Sequence, residues 1–224
     1  MIRIVLVLAI LCASLPVHAA IWTVEADGSG TAATIQEAID DLPTGSTILL
    51  GDGVFTGDGN RDLMTYAKQL RFRSQSQRAA NCILDLQGTG NDPHRAFYFT
   101  AATGQTRLEW ITFRGGMTED DGGAILCQWG TTPVISGCVF ENNLALGDGG
   151  AIAVEYDSSP EITGCVFRNN CALGNGGAVA VKNSATIELS SDWFLLNSAA
   201  AGGAVAVTDL GDLTVSWGVF DRNR

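Results

Sequence analysis

Carboxylates and one amide recur at a fixed place in this sequence, immediately before a pair of glycines. Asp121, Asp148 and Asn175 each precede such a pair, and Asp120 lies beside the first of them. If the segments that carry them stack like neighbouring strands, their side-chain oxygens lie about 5 Å apart. Like charges at that distance repel unless a cation lies between them, which predicts a calcium site. The alternative is a set of solvated turn residues, since aspartate and asparagine are common in turns.

A second candidate site is aromatic. Trp129 and Tyr156 occupy equivalent places in consecutive repeats, and Asp157 follows Tyr156. Two rings at this spacing predict a ledge on which a sugar ring could stack, with the carboxylate holding its hydroxyl groups. The alternative is that both rings fold back over the strand edge as packing.

Groups suited to nucleophilic or acid–base catalysis are sparse. His94, beside Arg95, is the single histidine after the amino-terminal leader. It could be catalytic, although a lone loop histidine is more often structural. Cys12 falls in the leader, and an odd number of cysteines in the exported remainder implies at least one free thiol. The remaining cysteines show no metal-ligand spacing: Cys82, Cys127, Cys138, Cys165 and Cys171.

An internal repeat positions these residues. The string GGA recurs in steps of 27, 27 and 26 residues, and a phenylalanine keeps the same period, with asparagine three places after each of its last four copies. The members are Gly122, Gly149, Gly176 and Gly202; Phe113, Phe140, Phe167, Phe194 and Phe220; and Asn143, Asn170, Asn197 and Asn223. Segments such as AIAVEY and AVAVKN alternate with period two, which is typical of strands. A fixed period of this size, with no helical segment, predicts an all-β solenoid of stacked parallel coils.

Stacking explains the repetition, because one coil cannot bury its own apolar face but copies of it can. The repeat predicts three inward ladders: Ile125, Ile152, Val179 and Val205; Cys127, Val154, Val181 and Val207; and Ile135, Ile162, Leu189 and Val215. It also predicts a stack of phenylalanines and an asparagine ladder at a turn. Glu155 and Lys182 are expected to form a weak outward pair on adjacent coils.

The front of the chain predicts a cap for the first coil. Thr34 and Glu37 form a capping box for a short amphipathic helix, which ends at Pro43. The strand STILL follows, so we assign residues 20–53 to the cap. Residues 54–113 are expected to form irregular coils, and residues 114–224 regular coils of about 27 residues that continue beyond the chain end. An uncapped last coil would favour end-to-end association.

Residues 1–19 have the basic start, apolar run and small-residue end of a secretory signal peptide. The chain is therefore expected to be secreted or at the cell surface, and no other stretch is apolar enough to span a bilayer. The formal net charge of −11 disfavours nucleic acid, and also polyanionic glycans unless calcium bridges the two. The alternative interpretation of this charge is solubility alone.

The string VEADGSGTAATIQEAIDDLPTGSTILLGDGVFTGDGN resembles the amino-terminal cap of right-handed parallel β-helix proteins of the pectin-lyase-like superfamily. Its opening also resembles pectinesterases, and the GGAI and FxxN pair is similar to the chlamydial polymorphic outer-membrane proteins, which are surface adhesins. The resemblance implies a right-handed parallel β-helix. It does not imply one function, since this fold carries lyases, hydrolases, esterases and adhesins alike.

The catalytic strings of those enzymes do not occur in this sequence. There is no DFIFG, QDTL, NTD, GHG or RxPxxR string, and the two DD pairs lie at 40–41 and 120–121. We therefore expect a binding, adhesive or structural role, with a glycan or a surface protein as partner and no cofactor unless calcium binds. The alternative is a polysaccharide-active enzyme.

Two local expectations concern the core. Cys138 and Cys165 should stack in one inward column, either as a disulfide or as packed thiols. Asp192 comes next in that column, where a charge would be costly to bury. We therefore expect a local slip of the strand at SSDWF that turns Asp192 outward.

Overall fold

The computed structural model describes residues 18–100 and 105–224, and the signal peptide predicted over 1–19 lies outside them apart from its last two residues. The chain forms a parallel β-solenoid of about seven turns with one short helix. The fold class predicted from the repeat is therefore confirmed.

The described residues contain the helix α1 (Ile35–Asp41), a 3-10 turn at Ala79–Asn81 and 23 strands. The strands are β1 (Ile21–Val24), β2 (Thr47–Leu50), β3 (Gly53–Phe55), β4 (Arg71–Ser74), β5 (Cys82–Asp85), β6 (Phe97–Phe99), β7 (Arg107–Glu109), β8 (Thr112–Arg114), β9 (Met117–Thr118), β10 (Ile125–Cys127), β11 (Val134–Ser136), β12 (Val139–Glu141), β13 (Leu144–Ala145), β14 (Ile152–Val154), β15 (Glu161–Thr163), β16 (Val166–Arg168), β17 (Cys171–Ala172), β18 (Val179–Val181), β19 (Thr186–Ser190), β20 (Trp193–Leu195), β21 (Val205–Val207), β22 (Asp212–Ser216) and β23 (Val219–Asp221).

The strands form four parallel sheets along the solenoid. Sheet A has eight strands in the order β1-β2-β4-β7-β11-β15-β19-β22, and sheet B has seven in the order β3-β5-β8-β12-β16-β20-β23. Sheet C has five strands, β6-β10-β14-β18-β21, and the small sheet D has three, β9-β13-β17. Each regular coil therefore passes through sheets A, B, D and C in turn, and each strand pairs with its own copy in the next coil.

The helix α1 covers the first coils as the capping box predicts. Thr34 Oγ1 accepts a hydrogen bond from the Glu37 N–H at 3.2 Å, and Glu37 Oε2 accepts one from the Ala33 N–H at 2.7 Å. The first bond satisfies one of the amide groups that a helix start leaves without partners, and the second joins the residue before the N-cap to the first turn. Ile35 and Ile39 are fully buried, so the apolar face of the helix closes the core at this end.

The core consists of side chains stacked on their own repeats. Ile125, Ile152, Val179 and Val205 are paired in register, as are the other two predicted ladders. Successive phenylalanine rings from Phe113 to Phe220 stack with centroids 4.8–5.1 Å apart. Because the rings repeat at the strand spacing, each one covers the next and excludes water.

The predicted asparagine ladder is confirmed and lies inside the coil. Asn170 Oδ1 accepts hydrogen bonds from the backbone N–H and the Nδ2 of Asn143, at 3.1 and 3.0 Å. Asn170 Nδ2 in turn donates to Asn197 Oδ1 and to the backbone oxygen of Phe140, both at 3.0 Å. All three asparagines are buried, so the ladder supplies the partners that their amides would otherwise lose with water.

The outer face of sheet C is covered. Alternation along a strand would place Ala153 in solvent, yet Ala153 is buried, as are its neighbours in the sheet, Leu126 and Ala180. The glycine turn before each strand lies against this outer face. Gly149 has a φ of +68°, and a side chain there would collide with the carbonyl oxygen of Ile152. The repeated glycine pair is therefore a requirement of close backbone packing.

Cys138 and Cys165 occupy one buried column, and both are free thiols. Their Sγ atoms contact equivalent carbonyl oxygens, Leu108 O at 3.5 Å and Ile135 O at 3.7 Å. The predicted stacking is thus confirmed, with packed thiols rather than a disulfide.

The predicted outward slip of Asp192 is wrong. The strands pair in unbroken register, Phe167 with Phe194, and Asp192 is 1 % exposed. A slip by one residue would move Phe194 out of the aromatic stack, and the structure buries the carboxyl group instead. Asp192 Oδ1 accepts the Cys165 N–H at 2.7 Å, whereas Oδ2 has no hydrogen-bond partner in the described residues.

Replacing Asp192 with asparagine should stabilise the protein at neutral pH. Burial raises the pKa of Asp192 from 3.8 to about 6, although the Cys165 N–H opposes the shift. Between these values the folded state binds more protons than the unfolded state, so the contribution of Asp192 to stability falls as the pH rises. We expect Asp192→Asn to raise the free energy of unfolding by about 1–3 kcal/mol at pH 7.5 and by much less at pH 4. Urea unfolding at both pH values measures this, with the exposed Asp209→Asn as control. A variant less stable than the parent at pH 7.5 would contradict it.

Truncating one rung of the asparagine ladder should be costly. Asn170→Ala removes the acceptor of the buried Asn143 N–H and one of the donors to the Phe140 carbonyl. We expect a loss of about 2–4 kcal/mol in the free energy of unfolding. Urea denaturation should show this loss, while Glu161→Ala, on an exposed position of the same coil, should change it by less than about 0.5 kcal/mol.

Candidate functional site

A row of acidic side chains lies beside the glycine turns on sheet C, and Lys182 is bound among them. Lys182 Nζ lies 2.8 Å from Asp121 Oδ2, 3.1 Å from Asp148 Oδ2 and 3.5 Å from Glu155 Oε1. The second carboxylate oxygen of each aspartate accepts a backbone hydrogen bond. Asp121 Oδ1 accepts the Asp148 N–H at 2.6 Å, and Asp148 Oδ1 accepts the Asn175 N–H at 2.7 Å. The stacked carboxylates are thus bridged by an ammonium group.

The expected outward pair of Glu155 and Lys182 needs correction. Glu155 is only 3 % exposed, and the shorter contacts of Lys182 are to the aspartates of two preceding glycine turns. The turns lie over the outer face of sheet C and enclose the side chains that follow each strand. This ion cluster is partly desolvated, so removing one of its charges costs more than removing one charge of a surface pair.

The pKa values of two carboxyl groups in the cluster, Glu155 and Asp121, are shifted in opposite directions. Burial and the neighbouring Asp121 raise the pKa of Glu155 above its usual value, although a hydrogen bond from Gln128 and the charge of Lys182 oppose this. Burial also acts on Asp121, but hydrogen bonds from the Asp148 N–H and Lys182 Nζ hold its pKa below the usual value. The pKa of Lys182 is raised by Asp121 and Asp148 against the effect of burial. The lysine therefore stays charged, which suits a structural ion cluster.

The predicted calcium ligands all contact other groups of the protein. Asp121 and Asp148 both bind Lys182, Asn175 donates to Asp148 Oδ1, and the Asp120 carboxylate pairs with Arg95. No group of three or more histidine, cysteine, aspartate or glutamate side chains suited to a metal occurs among residues 18–100 and 105–224. Lys182 occupies the place that the calcium hypothesis gave to a metal ion.

The predicted aromatic pair is present on the surface. The rings of Trp129 and Tyr156 stack with centroids 4.3 Å apart and planes within 6°. Trp129 is 57 % exposed and Tyr156 is half-buried, so the pair packs on itself and still presents a ring surface to solvent. Asp157 is exposed next to it. The two rings therefore pack against each other, and they also form an exposed aromatic surface of the kind that the ledge interpretation expects.

The backbone under this pair is strained. Trp129 has a φ of +60° and Tyr156 a φ of +49°, in the left-handed region that bulky side chains resist. The equivalent positions in the next two coils are Asn183 and Asp209, residue types that tolerate this conformation. The chain thus carries large aromatic side chains at positions where smaller polar residues fit at less cost.

A cleft of about 300 Å³ lies on the same face, one coil before the aromatic pair, and is lined by Asp62, Met64, Arg95, Tyr98 and Asp120. The Arg95 guanidinium lies 5.6 Å from the Tyr98 ring centroid and pairs with Asp120. The Asp62 Oδ1 accepts the Arg95 N–H at 3.0 Å. The cleft therefore combines an ion pair, a fixed carboxylate and an aromatic ring.

His94 is held at the edge of this cleft by two carboxylates. Its Nδ1 lies 2.5 Å from Asp62 Oδ2, and its Nε2 lies 3.1 Å from Asp92 Oδ2. The Asp62 contact is a hydrogen bond, and the buried Nε2 makes none among the described residues, so neither nitrogen is open to a substrate, which favours the structural interpretation over the catalytic one. The buried thiols are poor nucleophiles as well, since burial raises the pKa of Cys127 to about 12 and that of Cys165 well above its ordinary value.

Hydrogen bonds join the cleft to the ion cluster. The Tyr98 hydroxyl donates to Gln128 Oε1 at 2.9 Å, and Gln128 Nε2 donates to Glu155 Oε2 at 2.8 Å. Gln128 directly precedes Trp129, so this polar row also borders the aromatic pair. Cleft, cluster and aromatic pair thus form one continuous region on sheet C.

Two segments of the chain, residues 137–155 and 164–182, match the Chlamydia polymorphic membrane protein repeat. The chain is similar to this family over two of its coils. Each match runs from the glycine before sheet B, through the phenylalanine, the asparagine and the glycine pair, to Glu155 or Lys182. The resemblance to the polymorphic membrane proteins is therefore confirmed, and that family is associated with the membrane and outer surface.

No curated protein matches the chain. Within the part of the chain that the structure describes, no helix has the length and apolar character needed to cross a membrane.

Sequence reasoning missed the cleft, although one signal pointed to it. The residues His94 and Arg95 stand where the later coils carry their glycine pair, but the weak repeat in this part of the chain hides the alignment. The sequence also gave no indication that Lys182 would reach across two glycine turns. Both features depend on how a turn of one coil lies on the next.

Removing the ammonium group should destabilise the solenoid strongly. Lys182→Met leaves Asp121 and Asp148 as partly buried charges without a counterion. We expect the free energy of unfolding to fall by about 2–4 kcal/mol. The control is Arg222→Met, which removes a pair with Asp221 that is exposed on both sides and should cost less than about 1 kcal/mol. Equal losses in the two variants, measured by urea unfolding, would contradict the importance of the cluster.

Proposed function

We propose that this chain is an exported, cell-surface binding module and that its ligand is a carbohydrate. The single observation that carries the ligand class is the stacked pair of Trp129 and Tyr156, exposed and built on a strained backbone. Aromatic rings at a solvent-exposed position offer an apolar face to a sugar ring, and Asp157 beside them offers acceptors for its hydroxyl groups. The similarity to a family of surface proteins supports the location.

The shape of the solenoid supports this role. Stacked coils produce a long, flat surface on which a linear polymer can lie across several repeats. The aromatic pair extends over two coils of this surface and lies beside the polar row of Tyr98, Gln128 and Glu155. A ligand that spans coils gains from many weak contacts, which is suited to adhesion.

A polysaccharide-active enzyme is the less favoured alternative. Acid–base hydrolysis needs two carboxyl groups that reach the substrate. Here Glu155 is buried, and Asp121 and Asp148 are bound to Lys182 and to backbone amides. These three carboxylates are therefore not free to act as acid and base, and binding without turnover fits their contacts.

Replacing Trp129 with asparagine should abolish glycan binding without unfolding the protein. Asparagine stands at the equivalent position of a later coil, Asn183, with a φ of +55°. The variant therefore suits the backbone while removing the stacking surface. We expect at least about a tenfold loss of affinity for any glycan that the parent binds, measured by glycan array and then calorimetry.

The matched control is Trp217→Asn. Trp217 also has a left-handed backbone, with a φ of +59°, and is 88 % exposed, but it lies in the last coil away from the pair. Binding should be unchanged in this control. An equal loss in both variants, or no glycan bound by the parent protein, would count against the proposal.

A further inference from the structure

The cleft around Arg95 lies where the solenoid departs from its own repeat. Strand β6 pairs with β10 in a register that puts His94 and Arg95 at the positions of Gly122 and Gly123. The other coils carry glycine pairs there because the turn packs closely on the strand. Two large polar side chains at this position hold the turn differently and open a space beside it. Departures from a repeat's rules of this kind are typical of functional sites.

The strand beneath the cleft departs from the repeat in the same way. Tyr98 occupies the outward position that Leu126, Ala153 and Ala180 fill in the following coils. Those three are buried under glycine turns, whereas Tyr98 lines the cleft and keeps its hydroxyl bound to Gln128. The ring is therefore fixed in place before any ligand arrives, which lowers the entropic cost of binding.

The cleft is part of a longer groove. On one side of Arg95 the surface continues into a depression of about 340 Å³ lined by His94, Thr118 and Glu119. On the other side of Tyr98 it continues into one of about 120 Å³ that reaches Tyr66. The groove thus has a charged end and an aromatic end, and three adjoining depressions suit a chain of several units better than one small molecule.

The charges of the groove define the ligand class. Asp62, Glu119 and Asp120 outnumber Arg95, and this excess of negative charge repels uronates, phosphates and nucleic acids. The Arg95 and Asp120 side chains form an ion pair, so donors and acceptors stand side by side with their charges largely balanced. Hydroxyl groups donate and accept at once, and such a pair meets both needs.

An unused donor lies at the centre of this arrangement. The buried Nη1 of Arg95 has no hydrogen-bond partner among the described residues, which leaves part of its desolvation cost uncompensated. Because Nη1 is closed to solvent, the hydroxyl groups of a ligand meet the Arg95–Asp120 ion pair on its exposed Asp120 side. The aromatic end of the groove provides the apolar surface that the ring carbons of a sugar require.

We infer that this groove is a binding subsite for a neutral oligosaccharide, with the Arg95–Asp120 pair binding hydroxyl groups and Tyr98 contacting a sugar ring. This inference rests on the proposed carbohydrate-binding function and extends it to a second site, one coil from Trp129. The Tyr98–Gln128 hydrogen bond joins the two sites, and one saccharide chain occupies both.

The test uses the whole chain without its leader and a panel of neutral hexasaccharides of glucose, mannose and galactose. Oligogalacturonate and hepta-lysine serve as the anionic and cationic probes. The key variant is Asp120→Asn, which keeps an amide oxygen beside the mostly buried Arg95, and urea unfolding checks that the variant stays folded. We expect binding of the neutral probe to weaken about tenfold, the effect of losing one charge-assisted hydrogen bond. Asp212→Asn, an exposed carboxylate on sheet A, is the matched control and should bind like the parent.

Each outcome decides between the proposals. If Trp129→Asn abolishes binding of a neutral hexasaccharide and Asp120→Asn leaves it unchanged, the groove is not a subsite and the proposed function stands. If no neutral probe binds the parent protein, both proposals fail. Tighter binding of oligogalacturonate or hepta-lysine than of every neutral probe would overturn the ligand class. A tenfold loss in Asp120→Asn, with the control unchanged, supports the groove.

Discussion

The strict vertical register of the coils is the constraint on which the rest of this structure depends. It is fixed inside the solenoid by the asparagine ladder through Asn143, Asn170 and Asn197, whose amides are satisfied only when every coil repeats the same backbone path. The stacked phenylalanines add an apolar contribution in the same register. A coil shifted by one residue loses both at once, which explains why Asp192 is buried rather than turned outward.

Because the coils are in register, each side chain lies next to the equivalent side chain of the neighbouring coil. For apolar residues this is favourable, because each copy buries the next. For charged residues it creates repulsion, and the sheet C surface shows how the chain compensates it. Lys182, on the third copy of its position, reaches back to Asp121 and Asp148 on the first two glycine turns. One positive charge is needed to balance the stacked aspartates, and sequence variation between the copies supplies it as Lys182.

Functional candidates appear where copies differ without such a structural reason. Trp129 and Tyr156 occupy left-handed positions that Asn183 and Asp209 fill at lower cost. Arg95 replaces a glycine that close packing favours in the regular coils. Each substitution costs stability and places a large side chain on the same outer face. The regular coils thus provide a rigid support, and the first coils of sheet C carry the proposed recognition surface.

The sequence by itself determined the fold class, the coil period, the helix cap and the inward ladders, because all of these follow from periodic local patterns. It also located the aromatic pair, since equivalent places in a solenoid lie next to each other. Only the tertiary structure decided which cation balances the aspartates, that Glu155 is buried, and that Arg95 and Tyr98 form a cleft. These features arise from turns that fold over the sheet of the same and the neighbouring coil. Such contacts depend on three-dimensional packing between side chains up to 61 residues apart, which no periodicity encodes.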